Sequence, residues 1–246
     1  MEKTGPYEPR NTRAASSSRL ACRGPHLHTV AKIISALTLS GTLLLGLMCA
    51  PQAKADVPKS SIEARQLDDK NKEARASLSH GDYVKAEALF RTLVKQTTQT
   101  FGAEHPKTLQ QRHDLAEALL VARYYGEAET EFRNVWRLRV KVLGPKNADT
   151  LLSHFQLAVS LCSQHRHLEA EAEYRTVLSD EEQVLGINHA QTLQTDFRLA
   201  QCLQMQGRFA DAKAFASRAY EGAKERFGES SVEFLTYRML WRQLQD

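Results

Sequence analysis

Cysteine is scarce in this sequence, which has four cysteines in 246 residues. No Cys-x-x-Cys pair and no cysteine–histidine pair at the spacing of zinc ligands occurs, so the sequence lacks the signature of a structural zinc site. Cys162 and Cys202 lie in the same half of the chain and leave two alternatives open. They form a disulfide in an oxidising compartment, which requires an unusually close approach of neighbouring helices, or they are two small residues at the edge of a core.

Sequence signatures of catalysis are missing as well. His154, His165 and His167 lie close together, but no His-Glu-x-x-His spacing supplies a carboxylate for metal chemistry. There is no glycine-rich loop of the kind that holds phosphate and no serine in a Gly-x-Ser-x-Gly turn. The sequence therefore predicts a protein that is not an enzyme and that uses neither a metal nor another cofactor.

Basic residues are unevenly distributed along the chain. The formal net charge is +4, but the excess of lysine and arginine lies in residues 1–55, and the remainder of the chain is close to neutral. Binding to nucleic acid requires a basic face on the folded part of a protein. The sequence therefore predicts no nucleic-acid partner.

A long apolar run lies near the start of the chain. Residues 33–53 contain no charged side chain, basic residues precede them, and the run ends in Ala53-Lys54-Ala55. A basic segment, an apolar segment and a small-x-small site in this order are typical of a secretory signal peptide. We predict that residues 1–55 form a leader that is cleaved before Asp56, and that the protein is exported from the cytoplasm and becomes periplasmic or secreted.

Two alternatives for the leader stay open. The apolar run approaches the length of about 20 residues that spans a membrane, so residues 33–53 are the candidate for an uncleaved anchor and for the only membrane contact of the protein. Residues 10–23, rich in serine and arginine, instead have the composition of an organellar transit peptide. In either case we expect residues 1–55 to take no part in the fold of the remaining chain.

The rest of the chain repeats with a period of 42 residues. Glycines recur at positions 102, 144, 186 and 228. Other residues recur with the same spacing: Thr108-Leu109, Thr150-Leu151 and Thr192-Leu193, then Leu115-Ala116, Leu157-Ala158 and Leu199-Ala200. A period of this length predicts a stack of structural units, each of which buries its apolar face against its neighbours.

Each unit carries the pattern of two antiparallel helices. In one unit Ala116 is followed by Ala128, Phe132 and Val135, and the same spacing of small and large apolar residues recurs in the others. Alanines where two helices cross allow the backbones to approach, and apolar residues four and seven places further on lie on one face of a helix. The pattern predicts an all-α fold.

One position in the turn between the two helices of a unit holds glycine in some units and a larger residue in others. It holds Gly81 and Gly207 in the first and last units, and Arg123 and His165 in the other two. If this turn needs a positive φ, glycine adopts it without steric cost. Arg123 and His165 are then expected to carry backbone strain of about 1 kcal/mol each.

The repeat resembles the tetratricopeptide repeat, and the stretch Gly-Ala-Glu-His-Pro-Lys-Thr-Leu at 102–109 resembles the kinesin light chain type of that family. The resemblance covers residues 60–246. It implies a tetratricopeptide-type α-solenoid of helix-turn-helix units, with nine helices in a right-handed superhelix. The predicted units are 60–102, 103–144, 145–186 and 187–228, followed by a capping helix at 229–246 with a polar outer side.

In tetratricopeptide proteins the first helix of each unit lines a concave groove, and the resemblance implies that this groove binds a protein or peptide. Carried over by position, the groove residues are Asn71, Lys72, Arg75, Gln110, His113, Asp114, Glu117, Leu152, Phe155, Gln156, Val159, Gln194, Phe197, Arg198, Gln201 and Met205. Phe155 and Phe197 hold equivalent positions and leave two alternatives open. They are exposed aromatic anchors for a peptide, or they turn inward and fill the core between units.

The sequence therefore predicts an exported adaptor or scaffold that binds a protein or peptide in its groove without catalysis. Two further functions stay open. The first is a regulatory module that senses a small peptide and thereby changes its affinity for a second protein. The second is a structural subunit that residues 33–53 tether to a membrane complex.

Overall fold

The structure, a computed structural model, describes residues 59–245, which fold into nine α-helices and contain no strand. The helices are α1 (Lys59–Ser79), α2 (Tyr83–Phe101), α3 (Pro106–Val121), α4 (Tyr125–Leu143), α5 (Ala148–Ser163), α6 (His167–Val184), α7 (Ala190–Met205), α8 (Phe209–Phe227) and α9 (Val232–Gln243). Units 1 to 4 are the successive pairs α1–α2 to α7–α8. The prediction of an all-α repeat solenoid is confirmed for this part of the chain. The predicted leader, with its cleavage before Asp56 and its apolar run at 33–53, lies outside the described residues.

Helix boundaries follow from local chemistry. Asn147 accepts a hydrogen bond from the backbone N–H of Asp149 (2.9 Å) at the start of α5, and Ser231 accepts one from Phe234 (3.1 Å) at the start of α9. Such caps satisfy N–H groups that the first turn of a helix leaves free. The second helices end at or near the repeat glycines, of which Gly144 has a φ of 92°. None of the helices in 59–245 has both the length and the apolar character needed to cross a membrane.

The turn inside each unit does take a positive φ. Gly81 and Gly207 have φ values of 81° and 74°, and Arg123 and His165 have φ values of 68° and 63°. This left-handed conformation brings Cβ close to the following carbonyl oxygen, so Arg123 and His165 each carry strain of about 1 kcal/mol. The expectation for the turn is confirmed.

Alanines lie where the two helices of a unit cross, as the repeat predicts. The fully buried pairs are Ala74 and Ala86, Ala116 and Ala128, Ala158 and Ala170, and Ala200 and Ala212. Larger side chains of the second helices, among them Phe132 and Tyr174, fill the core beside these crossings. Each crossing therefore has room for a methyl group and little more.

Replacing Ala158 with leucine is expected to lower the free energy of unfolding by about 1–3 kcal/mol, because the larger side chain overpacks the crossing of α5 with α6. Unfolding in urea measures the effect. Ala172→Leu is the matched control, since Ala172 is exposed on α6, and a change below about 0.5 kcal/mol is expected there. Equal stabilities of the two variants would show that Ala158 does not lie at a crossing.

The last helix, α9, covers the apolar end of unit 4. Phe234 and Tyr237 are buried, and the Tyr237 ring stacks on Phe197 with ring centroids 4.7 Å apart. The outer side is less polar than predicted, because Val232 and Met239 are both largely exposed. Met239 lies 42 residues after Phe197, at a position that is buried in units 2 to 4, so α9 keeps the apolar pattern of a first helix without a second helix to cover it.

Candidate peptide-binding groove

Side-chain hydrogen bonds join successive first helices along the predicted groove. Asn71 on α1 donates to Gln111 on α3 (Nδ2 to Oε1, 3.1 Å). Gln156 on α5 donates to Glu117 on α3 (Nε2 to Oε1, 3.1 Å). Helices α1, α3 and α5 therefore present a continuous row of polar side chains, and α7 follows in direct contact with α5.

At the α1 end, Asp114 lies beneath this row instead of lining its surface. Its Oδ1 atom accepts hydrogen bonds from Arg75 (2.8 Å) and Gln110 (2.9 Å), and the side chain is almost completely buried. A buried carboxylate requires such partners, whereas the side chains of Arg75 and Lys72 remain largely exposed. Two basic side chains therefore lie exposed at this end, and the prediction of Asp114 as a surface residue of the groove is wrong.

Glu117 supplies a negative charge in the middle of the groove. Its Oε1 atom accepts the hydrogen bond from Gln156 and lies 3.5 Å from Nε2 of His113. Burial raises the pKa of Glu117, but the contacts with His113 and Gln156 and the charge of Arg75 outweigh burial and lower the pKa below its usual value. The groove therefore changes from positive at Arg75 to negative at Glu117.

Three predicted groove residues at equivalent positions lie in the core. His113, Phe155 and Phe197 are only 1%, 3% and 8% exposed. The Phe155 ring packs against Tyr174 and the Phe197 ring stacks on Tyr237. The alternative of exposed aromatic anchors is wrong, because in units 2 to 4 this helix position points toward the helices packed behind the groove. Both phenylalanines fill the core.

The C-terminal half of the groove combines amides with apolar side chains. Gln194, Arg198 and Met205 are exposed, and Leu152, Gln156, Val159 and Gln201 are half-buried. Arg198 donates to Gln201 (3.2 Å) across one turn of α7. Hydrogen-bonding groups beside apolar contacts are what an extended or helical peptide requires of its binding surface.

The repeats of this chain match known sequence profiles. A tetratricopeptide repeat profile matches residues 147–225, and a second tetratricopeptide repeat profile matches residues 108–149. The chain belongs to the tetratricopeptide repeat family. The predicted resemblance is confirmed, and a fold of this family suggests a role in protein–protein interaction.

Solved structures resemble this tetratricopeptide repeat protein in fold at low sequence identity. A crystal structure of Podosopora anserina putative kinesin light chain nearly identical TPR-like repeats has a TM-score of 0.63 at 21% identity, over 73% of this chain and 85% of that chain. BtubC (BKLC) from P. vanneervenii has a TM-score of 0.63 at 13% identity, over 75% and 80%. A Rap protein complexed with competence and sporulation factor has a TM-score of 0.56 at 13% identity, over 73% and 54%. No curated protein matches the sequence.

Sequence reasoning missed a buried cation beneath the groove of this tetratricopeptide repeat protein. Arg139 on α4 donates to Gln110 Oε1 (2.7 Å), to Ser153 Oγ (2.8 Å) and to the carbonyl oxygen of Asp149 (2.8 Å). It thereby holds Gln110 in place from below. A signal was present in the sequence, because Arg139 follows Val135 by four residues on the apolar stripe of α4, where a charged residue needs buried partners.

A cluster of Cys162, His167 and Cys202 was also missed. Sγ of Cys162 lies 3.7 Å from Nδ1 of His167, and the Cys202 thiol donates to the carbonyl oxygen of His167 (3.2 Å). Contact with Cys202 lowers the pKa of Cys162 to about 6, and the same contact and burial raise the pKa of Cys202. Both cysteines are free thiols in the structure. Motif spacing could not reveal the cluster, because its members come from three different helices.

Proposed function

We propose that this tetratricopeptide repeat protein is an exported adaptor that binds a protein or peptide segment along α1, α3, α5 and α7, without catalysis. The row of polar side chains on these helices, with apolar residues beside it, carries the proposal. Its members are Asn71, Arg75, Glu117, Gln156, Gln201 and the exposed Met205. Amide and charged groups can pair with the backbone of a bound segment, while apolar contacts add affinity.

The order of charges in the groove favours a particular kind of ligand. Lys72 and Arg75 favour an acidic segment at the α1 end, and Glu117 favours a basic or amide residue beside it. The half-buried Leu152 and Val159 favour an apolar side chain further along. We propose no nucleic-acid partner, because a groove of changing sign does not form the basic face that such a partner requires.

Peptide selection from a display library on the full-length protein, followed by measurement of Kd, tests the groove. The groove variant is Arg198→Glu with Met205→Glu, and the matched control is Lys213→Glu with Leu168→Glu, which changes one basic and one apolar exposed residue on the second helices. We expect Kd to rise more than about tenfold in the groove variant, a loss of about 1.4 kcal/mol, and to stay within about twofold in the control. A reversed result would place the binding site on the second helices.

Export is a separate part of the proposal, supported by the order of basic, apolar and small residues in the leader. N-terminal sequencing of the protein from its native cells measures the processing. A soluble protein that begins at Asp56 is the expected result. An intact leader in the membrane fraction would favour the structural subunit tethered through residues 33–53, and an intact leader in the soluble cytoplasmic fraction would contradict export.

A second candidate function is a module that senses a small peptide. The similarity to a Rap protein complexed with competence and sporulation factor supports this candidate. In that case a bound peptide should compact the solenoid, and small-angle scattering should show a smaller radius of gyration when the selected peptide is added. An unchanged scattering curve at saturating peptide would leave the passive adaptor as the function.

A further inference from the structure

Three side chains of metal-binding type meet where units 3 and 4 pack together. Cys162 lies near the end of α5, His167 is the first residue of α6, and Cys202 lies on α7. Their ligand atoms, two Sγ atoms and a ring nitrogen, all lie within 4.8 Å of one another. The proposed binding of a peptide in the groove does not use this cluster.

The distances between these atoms fit a zinc ion. Zinc binds sulfur at about 2.3 Å and nitrogen at about 2.0–2.1 Å, and at a tetrahedral angle these bond lengths separate a sulfur from a nitrogen ligand by about 3.6 Å. The distance from Cys162 Sγ to His167 Nδ1 is 3.7 Å. These two atoms can therefore share one ion with almost no movement, and Cys202 Sγ reaches the same ion with a shift of about 1 Å or less.

All three residues depart from the repeat, and the departures coincide in space. His167 stands where the other units have Tyr83, Tyr125 and Phe209, Cys202 stands where units 2 and 3 have Ala118 and Ser160, and Cys162 stands where units 2 and 4 have Leu120 and Gln204. Unit 2 has Tyr125 and Ala118 at two of these positions, so close packing between the helices does not require a histidine or a cysteine there. Three metal-binding side chains at one place therefore favour a common ligand over three unrelated replacements.

We propose that Cys162, His167 and Cys202 bind one zinc ion that joins unit 3 to unit 4, with water as the fourth ligand. Two thiolates and a neutral imidazole are a ligand set that zinc accepts. The amide of Gln206 lies 3.8 Å from Cys202 Sγ (Nε2 to Sγ), and a hydrogen bond to a ligand atom from behind is common in metal sites. An ion that binds the folded state but not the unfolded state stabilises the fold. The zinc ion would therefore link unit 3 to unit 4.

Zinc binding is measured on the reduced full-length protein, in a background in which the leader cysteines are replaced by Cys22→Ser and Cys49→Ser. We expect one zinc ion per chain and a rise in Tm when zinc is added. Cobalt(II), as a coloured substitute, should give sulfur-to-cobalt charge-transfer absorption. His167→Tyr and Cys202→Ala restore the residues of unit 2, so they preserve packing while removing a ligand. Each should weaken zinc binding by about 100-fold or more, since loss of an outer hydrogen-bond partner alone costs about 10–100-fold.

His165→Asn is the matched control. His165 is exposed, its ring centroid lies 5.8 Å from that of His167, and asparagine tolerates its positive φ. Zinc affinity should stay within about twofold of the wild type in this variant. The proposal is overturned if His167→Tyr binds zinc as the wild type does, or if the reduced wild type binds no more tightly than Cys202→Ala. A disulfide between Cys162 and Cys202 in the native protein, with no zinc uptake after reduction, would also overturn it.

Discussion

Phe155→Ala is expected to lower the free energy of unfolding by about 3–5 kcal/mol, the cost of removing a buried aromatic ring. Phe155 is 3% exposed and packs against Tyr174. In a repeat protein each unit is stabilised mainly by its neighbours, so a cavity in unit 3 weakens the domain at its centre. Urea-induced unfolding followed by circular dichroism measures the change.

Met205→Ala is the matched control for Phe155→Ala, because Met205 lies at a groove position of a first helix and Phe155 lies at a core position. Met205 is 68% exposed, and its replacement is expected to change stability by less than about 0.5 kcal/mol. If Phe155→Ala were as mild, Phe155 would be an exposed residue and the assignment to the core would be wrong. Phe155→Ala weakens the fold itself, so weaker peptide binding by that variant would not show that Phe155 contacts the peptide. For this reason the binding test replaces exposed residues.

The close helix crossings and the strained turns of the repeat could be predicted from the sequence, because each depends on residues within a single unit. Alanine at a crossing, such as Ala116 or Ala158, is required whenever two helices approach closely, and both are fully buried. The strain at Arg123 and His165 could be predicted from the glycines at the same position in the other units. These features repeat, so each unit supports the interpretation of the next.

The direction of individual side chains on the first helices could not be predicted in the same way. Phe155 and Gln156 are adjacent, and the step of about 100° between successive residues of a helix is enough to separate the core from the groove. Phe155 is buried, whereas Gln156 reaches Glu117 on the neighbouring helix. Asp114 is buried because Arg75 of the preceding unit covers it, and no rule within one unit reveals such a partner.

Polar pairs between the two helices of a unit occur at the same position of the first helix in units 2, 3 and 4, but with different side chains. In units 2 and 3 a basic or imidazole side chain of the first helix pairs with a glutamate of the second: Arg112 with Glu131 (2.8 Å) and His154 with Glu173 (2.6 Å). In unit 4 the equivalent residue of the first helix is Asp196, and its partner on the second helix is Arg218. The polarity of the pair is therefore reversed, and in unit 4 the buried member is the acid.

Removal of Arg218 is expected to have the second large effect on stability. Asp196 is 0% exposed, and Arg218 donates to both of its oxygens (Nε to Oδ2, 2.9 Å; Nη2 to Oδ1, 2.5 Å). Arg218→Ala leaves a buried carboxylate without a cation, which costs about 3–5 kcal/mol while the carboxylate stays ionised, and the 42% exposure of the Arg218 side chain favours the lower end, about 3 kcal/mol at about pH 8. Arg91→Ala is the matched control, since it removes a half-exposed arginine from surface pairs and is expected to cost less than about 1 kcal/mol.

The pH dependence of this loss distinguishes the buried charge from lost packing. Burial raises the pKa of Asp196 to about 6 even with Arg218 in place, and removal of the cation raises the pKa further. In the unfolded chain an aspartate has a pKa of about 3.9. A carboxyl group whose pKa is raised by folding destabilises the folded state at pH values above that pKa, and the penalty fades as the pH falls toward the unfolded value.

The difference in unfolding free energy between the wild type and Arg218→Ala should therefore be larger at about pH 8 than at about pH 5. Asp196→Asn removes the titrating group, so the difference in unfolding free energy between Asp196→Asn and the double variant Asp196→Asn with Arg218→Ala should be smaller at the higher pH and should not depend on pH. A deficit of equal size at both pH values would show that the Arg218 side chain stabilises the unit by packing, and that the charge of Asp196 is not the cause of the loss.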